Sequence, residues 1–382
     1  MLTVITADRL CTPLDSIEQP VLVLEDDRIV QLGSHDAVTL PQGARHVDYR
    51  GSVITPAWLD VHTHGAAGRD AMEGSAAALS AISLHHAARG VAAYLPTTVT
   101  APVEETLHAL DGIAAVIEAP GEGARPLGIH LEGPFISHIK RGVHPPDEIL
   151  LPSIELFDRF WQASHGHIRL MTIAPEVPGA LELIAHASAL GVRISLGHSN
   201  ALAAETLAGI AAGATSATHT FNAMRPLDHR EPGILGTVLD QDDLFTEIIC
   251  DGIHVAPAAV RLFHHAKDPS RAILVTDSIS ATGMPDGKYM LGNLEVEVAN
   301  GVCTYQGTLA GSVLTLDRAV ANFATFTGCG LSAAARMASY NPAQMLGLDI
   351  GLLAAGSEAS FNVLAADGAL VATALRGTLQ TA

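Results

Sequence analysis

The sequence of 382 residues predicts an α/β protein in which a (β/α)8 TIM-like barrel carries a small β-sandwich domain built from both termini. Two observations favour this fold. Eight apolar runs alternate with Ala- and Leu-rich helical stretches between residues 56 and 348. Charged residues or histidines end most of these runs, which suits the mouth of a barrel. No GxGxxG motif follows the first run, which argues against a doubly wound sheet.

Short strand patterns occupy both ends of the chain. Alternating apolar and polar residues predict one hairpin that turns at Asp26 and Asp27, and a second that turns at Asp367 and Gly368. Neither terminal segment is long enough to bury a core alone. We therefore expect them to pair into one split domain, with residues 1–55 and 349–382 forming the β domain and residues 56–348 forming the barrel.

The barrel segment contains the strand candidates in a regular order. They read WLDVHTH, AAYLPTT, RPLGIHLEG, IRLMTIAPE, VRISLGHS, ATSATHTFN, TEIICDG and AILVTDS. Helical stretches between several of them close on a glycine near the expected C-terminal cap. After the last candidate, residues 288–312 predict an inserted hairpin that turns at Asn300 and Gly301.

Composition excludes several classes of protein. The chain has 21 basic and 40 acidic residues, so its net charge of −19 argues against a nucleic-acid or membrane-surface partner. The sequence contains no run of 18 or more apolar residues, so it predicts no membrane-spanning helix. Its N-terminus does not resemble a signal peptide. The four cysteines are scattered without a CxxC pair, which argues against a disulfide framework. We expect a cytoplasmic globular protein.

Several strand candidates end in residues that bind metals. His62 and His64 share parity, so both imidazoles leave the same face of one strand and can bind one metal ion. Glu132, His198 and His219 follow other apolar runs, and Asp277 ends the eighth. Any one of them alone is more often structural than catalytic. Together they predict a divalent metal site, and their mixed ligand types suit Zn²⁺, Fe²⁺, Co²⁺ or Mn²⁺.

The order of motifs resembles a known family. The series LDVHTHG, HLEGPF, TIAPE, LGHS, THTFNAM, REPG, DGIHV, LVTDS and TLAGS is similar to that of the N-acetylglucosamine-6-phosphate deacetylases of the amidohydrolase superfamily. The resemblance runs from about Pro56 to Leu348. An HxH motif alone marks only the superfamily, whereas HLEGPF together with LGHS and HTFNAM is far more specific.

The resemblance implies a role for each matching residue. Glu132, His198 and His219 match the ligands of the main metal site, and His62 and His64 match a pair that holds a second metal in some members. The same comparison of motifs makes Asp277 the catalytic acid/base. The residues that match substrate-contacting positions are His144, Asn222, Ala223, Arg230, His254, Leu309, Ala310 and Gly311.

The implied activity is removal of the acetyl group from N-acetylglucosamine-6-phosphate, giving glucosamine-6-phosphate and acetate. A metal-bound hydroxide would attack the amide while Asp277 moves the protons. One or two divalent ions per subunit are expected, with zinc favoured over iron, cobalt and manganese. The resemblance also implies a homodimer, because the arginine that matches Arg230 reaches the site of the neighbouring subunit.

Alternatives remain open from the sequence. The protein could act on another N-acyl substrate, such as N-acetylgalactosamine-6-phosphate or an N-acyl amino acid, open a ring as dihydroorotases do, or be a non-catalytic relative of the barrel enzymes. FNAM followed by REPG favours a sugar phosphate. Retention of all five ligands and of Asp277 argues against a non-catalytic relative. The sequence does not distinguish the two epimers at C4 of the sugar.

Overall fold

The computed structural model describes residues 2–381, in which eight strands from the two ends of the chain hydrogen-bond into one mixed sheet. The N-terminal segment supplies Leu2–Cys11, Ser16–Glu18, Pro20–Glu25, Arg28–Ser34 and Arg45–Pro56. The C-terminal segment supplies Phe361–Ala365, Leu370–Leu375 and Thr378–Thr381. The two segments meet where Phe361–Ala365 pairs antiparallel with Arg45–Pro56.

One face of this terminal sheet encloses an apolar core. Ile5, Leu22, Ile54 and Phe361 come from four different strands and are fully buried together. They can meet because alternate side chains of a strand point to the same face of the sheet. Both predicted hairpins are confirmed. The exact division between this sheet and the barrel, at residues 56 and 349, stays a prediction.

Eight parallel strands form the barrel, as the sequence predicts. Bridges at Thr97–His130 and Thr63–Ser278 join the two hydrogen-bonded groups of strands, β1–β2 and β3–β8, into a closed ring. The strands are β1 (Trp58–Thr63), β2 (Val91–Pro96), β3 (Ile129–Glu132), β4 (Ile168–Ile173), β5 (Arg193–Leu196), β6 (Ala214–Ala217), β7 (Phe245–Ile249) and β8 (Ala272–Val275).

A helix follows each barrel strand. The helices are α1 (Ala76–Ala88), α2 (Val103–Glu118), α3 (Ile154–Ala163), α4 (Ala180–Ala189), α5 (Ala203–Ala212), α6 (Gly233–Asp240), α7 (Pro257–Ala266) and α8 (Leu316–Thr327), with α9 (Leu331–Met337) and α10 (Tyr340–Leu346) after the last repeat. Serine hydroxyls at Ser75 and Ser153 accept backbone N–H groups and so define the first turns of α1 and α3.

The long connection between β8 and α8 carries the inserted antiparallel sheet. Its strands are Gly287–Leu291, Leu294–Ala299, Val302–Tyr305 and Thr308–Leu309, and the predicted turn at Asn300 and Gly301 is confirmed. Smaller elements are the strands Gly65–Ala66, Arg69–Asp70 and Arg125–Pro126 and the 3-10 turns Ala71–Glu73, His138–Lys140 and Pro146–Glu148. Across residues 2–381, no helix is long and apolar enough to cross a membrane.

Candidate metal centre and substrate pocket

The five candidate metal ligands lie at the carboxyl ends of four barrel strands. His62 lies within β1, His64 just beyond it, and Glu132 is the last residue of β3. His198 and His219 each lie two residues beyond the ends of β5 and β6. The carboxyl ends of parallel barrel strands meet at one face, so residues far apart in the sequence converge there. All five side chains are buried.

Glu132 lies between the two pairs of histidines. Its Oε1 is 3.4 Å from His198 Nε2 and 3.3 Å from His219 Nε2, and these two nitrogens are 3.1 Å apart. On the other side, His64 Nε2 is 3.2 Å from Oε2 and His62 Nε2 is 3.4 Å from Oε1. The donors therefore form two groups that share Glu132, and within each group all donor atoms lie within 4.8 Å of one another.

These spacings fit divalent cations. Nitrogen and oxygen donors that bind Zn²⁺ tetrahedrally at about 2.0–2.1 Å lie about 3.3 Å from each other. In addition, His62 Nε2 and Glu132 Oε1 are buried and have no hydrogen-bond partner among residues 2–381. Buried polar atoms without partners are costly, and a cation among them removes that cost. The donor set accordingly fits one ion at Glu132, His198 and His219, and a second at the HxH pair.

The histidine rings are held so that Nε2 faces the cluster. His198 Nδ1 donates to the Lys140 carbonyl at 3.0 Å, and His64 Nδ1 donates to the Thr97 carbonyl at 3.2 Å. A carbonyl oxygen can only accept, so each of these Nδ1 atoms carries its proton. In the neutral ring the lone pair is then on Nε2, as a metal ligand requires.

Asp277 faces the same cluster from β8. It lies two residues beyond the strand, with Oδ1 3.2 Å from His64 Nε2 and 3.5 Å from His62 Nε2. Burial by itself would raise the pKa of Asp277, but the neighbouring His62 and His64 lower it to about 2. Its backbone N–H donates to the His62 carbonyl at 2.9 Å, which fixes the residue against β1. The carboxylate is therefore ionised and held in place.

Three of these residues adopt a backbone conformation that is unusual outside glycine. The φ angles are 46° at His198, 27° at His219 and 51° at Asp277. Such left-handed conformations cost on the order of 1–3 kcal/mol each and persist where the surrounding structure determines them. Here the change of direction at the end of each strand turns the side chain into the cluster.

A cavity of about 200 Å³ opens over the donor cluster. It is lined by most of the residues that the motifs predict as substrate contacts. Its walls include His144, Asn222, Ala223, His254, Leu309 and Gly311. Ala310, by contrast, is buried in the apolar core beside the inserted sheet, and Arg230 is exposed on the loop after β6 and does not line the cavity. The structure thus brings together six of the eight predicted contacts within one subunit.

His144 is held in a defined protonation state. Burial lowers its pKa to about 3, so the ring is neutral. Its Nδ1 accepts the backbone N–H of Thr100 at 3.3 Å and lies 2.7 Å from the Thr100 hydroxyl. Because a backbone N–H can only donate, the proton of the ring lies on Nε2, which is 3.9 Å from Glu132 Oε2. His144 therefore presents a neutral N–H donor to the cavity.

The pKa of His254 is shifted in the opposite direction from that of His144. Burial would lower its pKa, but the Asp251 carboxylate, 2.6 Å from Nδ1, raises it above the ordinary value. Asp251 also accepts the backbone N–H groups of Ile253 and His254, so it fixes the loop after β7. The Asp251 carboxylate thus favours the protonated form of His254, which suits an anionic or hydroxyl-rich ligand.

Sequence reasoning missed three residues that shape the site. Glu247 in β7 contacts His62 and the backbone of His219, Thr100 fixes His144, and Asp251 fixes His254. The signal for Glu247 was a single carboxylate inside the apolar run TEIIC. Thr100 and Asp251 gave no such signal, because their partners are set by loops that meet only in the folded chain.

Fold and site together define an amidohydrolase, and the sequence model of the amidohydrolase family matches residues 53–380. An N-acetylgalactosamine-6-phosphate deacetylase of Escherichia coli O157:H7 is 42% identical over 322 residues, covering 83% of this chain and 84% of the relative. An N-acetylglucosamine-6-phosphate deacetylase of Vibrio furnissii is 37% identical, covering 95% and 91%. The chain belongs to the N-acetylglucosamine-6-phosphate deacetylases within this family, which confirms the resemblance seen in its motifs.

A solved structure agrees over the whole chain. A mutant N-acetyl-D-glucosamine-6-phosphate deacetylase from Mycobacterium smegmatis, in complex with N-acetyl-D-glucosamine-6-phosphate, has a TM-score of 0.94 and 35% sequence identity, and the match covers 99% of both chains. The corresponding enzyme of Thermotoga maritima has a TM-score of 0.87 at 34% identity, covering 98% of both chains. The similarity therefore includes the terminal sheet as well as the barrel.

Proposed function

We propose that this protein hydrolyses the acetamide group of N-acetylglucosamine-6-phosphate to give glucosamine-6-phosphate and acetate. The observation that carries the proposal is the buried set of Glu132, four histidines and Asp277 at the mouth of the barrel. The relatives' names supply the substrate. An ionised carboxylate beside a metal-binding cluster is suited to amide hydrolysis by water, because the metal activates the water and the carboxylate accepts its proton.

Glu132, His198 and His219 would hold the main divalent ion, and His62 and His64 would complete a second site. A divalent ion bound there supplies Lewis acidity, which lowers the pKa of water and polarises a carbonyl group. We propose zinc as the ion, because two imidazoles and a carboxylate are ligands that it takes readily. Iron, cobalt and manganese share this donor preference.

Asp277 moves the protons of the reaction. Its carboxylate accepts a proton from the attacking water while the new carbon–oxygen bond forms. It then delivers that proton to the nitrogen as the carbon–nitrogen bond breaks, so the amine leaves in a neutral form. The low pKa of Asp277 keeps the carboxylate ready to accept near neutral pH.

His144 stabilises the developing negative charge on the carbonyl oxygen. Its Nε2–H is a neutral donor, and its ring is fixed by Thr100, so little reorganisation is needed during the reaction. A neutral donor of this kind does not compete with Asp277 for the proton. Asn222, Ala223, His254, Leu309 and Gly311 would position the sugar in the cavity.

A 6-phosphate favours a basic partner, and the cavity is lined by no lysine or arginine among residues 2–381. Arg230 is exposed, and its guanidinium makes no hydrogen bond or ion pair with residues 2–381. We propose that the protein is a homodimer in which Arg230 binds the phosphate in the neighbouring subunit's site. Ala310 would act by supporting the inserted strand rather than by contact. We also propose a cytoplasmic location.

Acetate release from three sugars tests the proposal. The purified protein, loaded with zinc, is assayed with N-acetylglucosamine-6-phosphate, its 4-epimer and unphosphorylated N-acetylglucosamine. The first should react fastest, and the unphosphorylated sugar should react slowly. Absence of acetate from both phosphorylated sugars, with metal bound, contradicts the proposal.

A second candidate substrate is N-acetylgalactosamine-6-phosphate. The 42% identity to a relative of that name favours it. Both epimers carry the same acetamide and phosphate, so the metal cluster and Asp277 would act on either. A larger kcat/KM for the galacto epimer in the same assay would make it the substrate.

A further inference from the structure

Glu247 contacts both groups of metal-binding residues although it belongs to neither. It lies in β7 and is fully buried. Its Oε2 accepts the Nδ1–H of His62 at 3.2 Å and the backbone N–H of His219 at 3.2 Å. One carboxylate oxygen thus connects a ligand of the HxH pair to a ligand of the main site.

The contact determines which nitrogen of His62 faces the cluster. Because the carboxylate accepts from Nδ1, the neutral ring has its lone pair on Nε2. That nitrogen is 3.4 Å from Glu132 Oε1 and 3.5 Å from Asp277 Oδ1, and it has no hydrogen-bond partner among residues 2–381. His62 is therefore oriented as a donor with nothing but a cation left to bind.

Charge makes His62 different from the other oriented histidines. His64 and His198 donate Nδ1–H to backbone carbonyls, whereas His62 donates to a carboxylate. A carboxylate partner increases the basicity of the ring more than a carbonyl does, and with it the affinity for a metal.

The burial of Glu247 supports the same conclusion. His62 is the only basic side chain that it contacts within the described part of the chain. A buried carboxylate is costly unless positive charge compensates it. A divalent ion on the far side of the His62 ring supplies that charge.

We propose that Glu247 is a positioning residue that makes His62 a metal donor and so equips this chain to hold a second divalent ion at His62, His64 and Glu132. The inference rests on the proposed function and specifies how many ions its site holds.

Metal titration of the isosteric variant Glu247→Gln tests the inference. Metal-free protein is titrated with Zn²⁺ against a competing chelator, and bound ions per subunit are counted by elemental analysis. The wild type should bind two ions. The variant should bind the second about 10- to 100-fold more weakly, the usual effect of losing such a partner, and the first with unchanged affinity.

Asp317→Asn is the matched control. Asp317 is also a buried carboxylate; it lies in α8, 3.7 Å from Arg89, and contacts no proposed ligand among residues 2–381. Its substitution should leave both zinc affinities as in the wild type. If Glu247→Gln does not fold, Glu247→Asp gives the same test, because the shorter carboxylate keeps its charge but retreats from His62.

Three results would overturn the inference: one ion in the wild type, an unchanged second affinity in the folded variant, or equal weakening of both sites. Acetate release by the wild type reports separately on the proposed function. An active protein that holds one ion contradicts only the role of Glu247. A protein that holds two ions but releases no acetate contradicts only the proposed function.

Discussion

The donor cluster and the loop that follows β6 serve the same proposed reaction but are built differently. The cluster consists of side chains at the ends of barrel strands, and His62, Glu132 and His219 are each less than 5% exposed. On the loop, residues 226–230 are exposed. Among residues 2–381, the hydrogen bond that holds Arg230 comes from its backbone N–H, which donates to Asp228 at 2.9 Å.

This difference separates the chemistry from substrate recognition. Hydrogen bonds to Lys140, Thr97 and Glu247 fix the cluster within one subunit, so its geometry is complete in a single chain. The loop gains a defined role only when a ligand or a second subunit meets it. We therefore expect changes in the cluster to alter kcat and metal content, and changes in the loop to alter KM.

The largest effect is expected from Glu132→Gln. Because Glu132 is the donor that both groups share, its loss should remove bound metal and lower acetate release below detection. His198→Ala should do the same, whereas His62→Ala should retain the ion at the main site and keep part of the activity. Elemental analysis beside the acetate assay measures both quantities. Glu155→Gln, an exposed carboxylate on α3, is the control.

Asp277→Asn should lower kcat about 10²- to 10⁴-fold, the usual scale for an acid/base residue. The amide cannot accept the proton from water, but it keeps the size of the side chain, so the metal and the fold should remain. Turnover near that of the wild type, with metal still bound, would remove Asp277 from the mechanism.

His144→Ala should lower kcat about 10²- to 10³-fold, which is the scale for losing one donor to a developing oxyanion. Metal content should not change, because His144 is not among the proposed ligands. His35→Ala changes an exposed histidine in the turn after the strand Arg28–Ser34 and serves as the control. A change confined to KM would instead make His144 a residue of substrate binding.

Arg230→Ala should have the smallest effect on kcat and should instead raise KM. A hydrogen bond to a charged group contributes about 1.5–3 kcal/mol, so KM for the phosphorylated sugar should rise about 10- to 100-fold. The slow reaction of the unphosphorylated sugar should not change, since it lacks the group that Arg230 binds. An equal loss with both sugars would contradict the assignment.

Mixing two impaired variants sharpens the comparison further. A dimer of one Arg230→Ala and one Asp277→Asn subunit contains one site in which both residues are intact, if Arg230 acts across the interface. Such mixed dimers should be more active than either parent. Verified mixed dimers without that gain would place Arg230 in its own subunit's site or on the free surface.

Much of the fold could be predicted from local patterns. The alternation of apolar runs and helices indicated the barrel, and dipeptides such as Asp26-Asp27 and Asn300-Gly301 indicated hairpins, because turn chemistry depends on neighbouring residues. The end-to-end pairing of Phe361–Ala365 with Arg45–Pro56 was expected only in outline. Its register depends on side chains that are about 300 residues apart in the sequence, which no local pattern specifies.

The sequence by itself determined the class of chemistry, because metal-binding and acidic residues lie at or just beyond the ends of apolar runs, and the parallel strands of a barrel bring such ends to one face. These residues are His62, His64, Glu132, His198, His219 and Asp277. Only the tertiary structure decided which ring nitrogen faces the cluster in His62, His64, His144 and His198. Those orientations come from Thr97, Thr100, Lys140 and Glu247, which other strands and loops bring into contact. A hydrogen bond of this kind depends on distances of about 3 Å between segments remote in the chain, and such distances exist only once the barrel has closed.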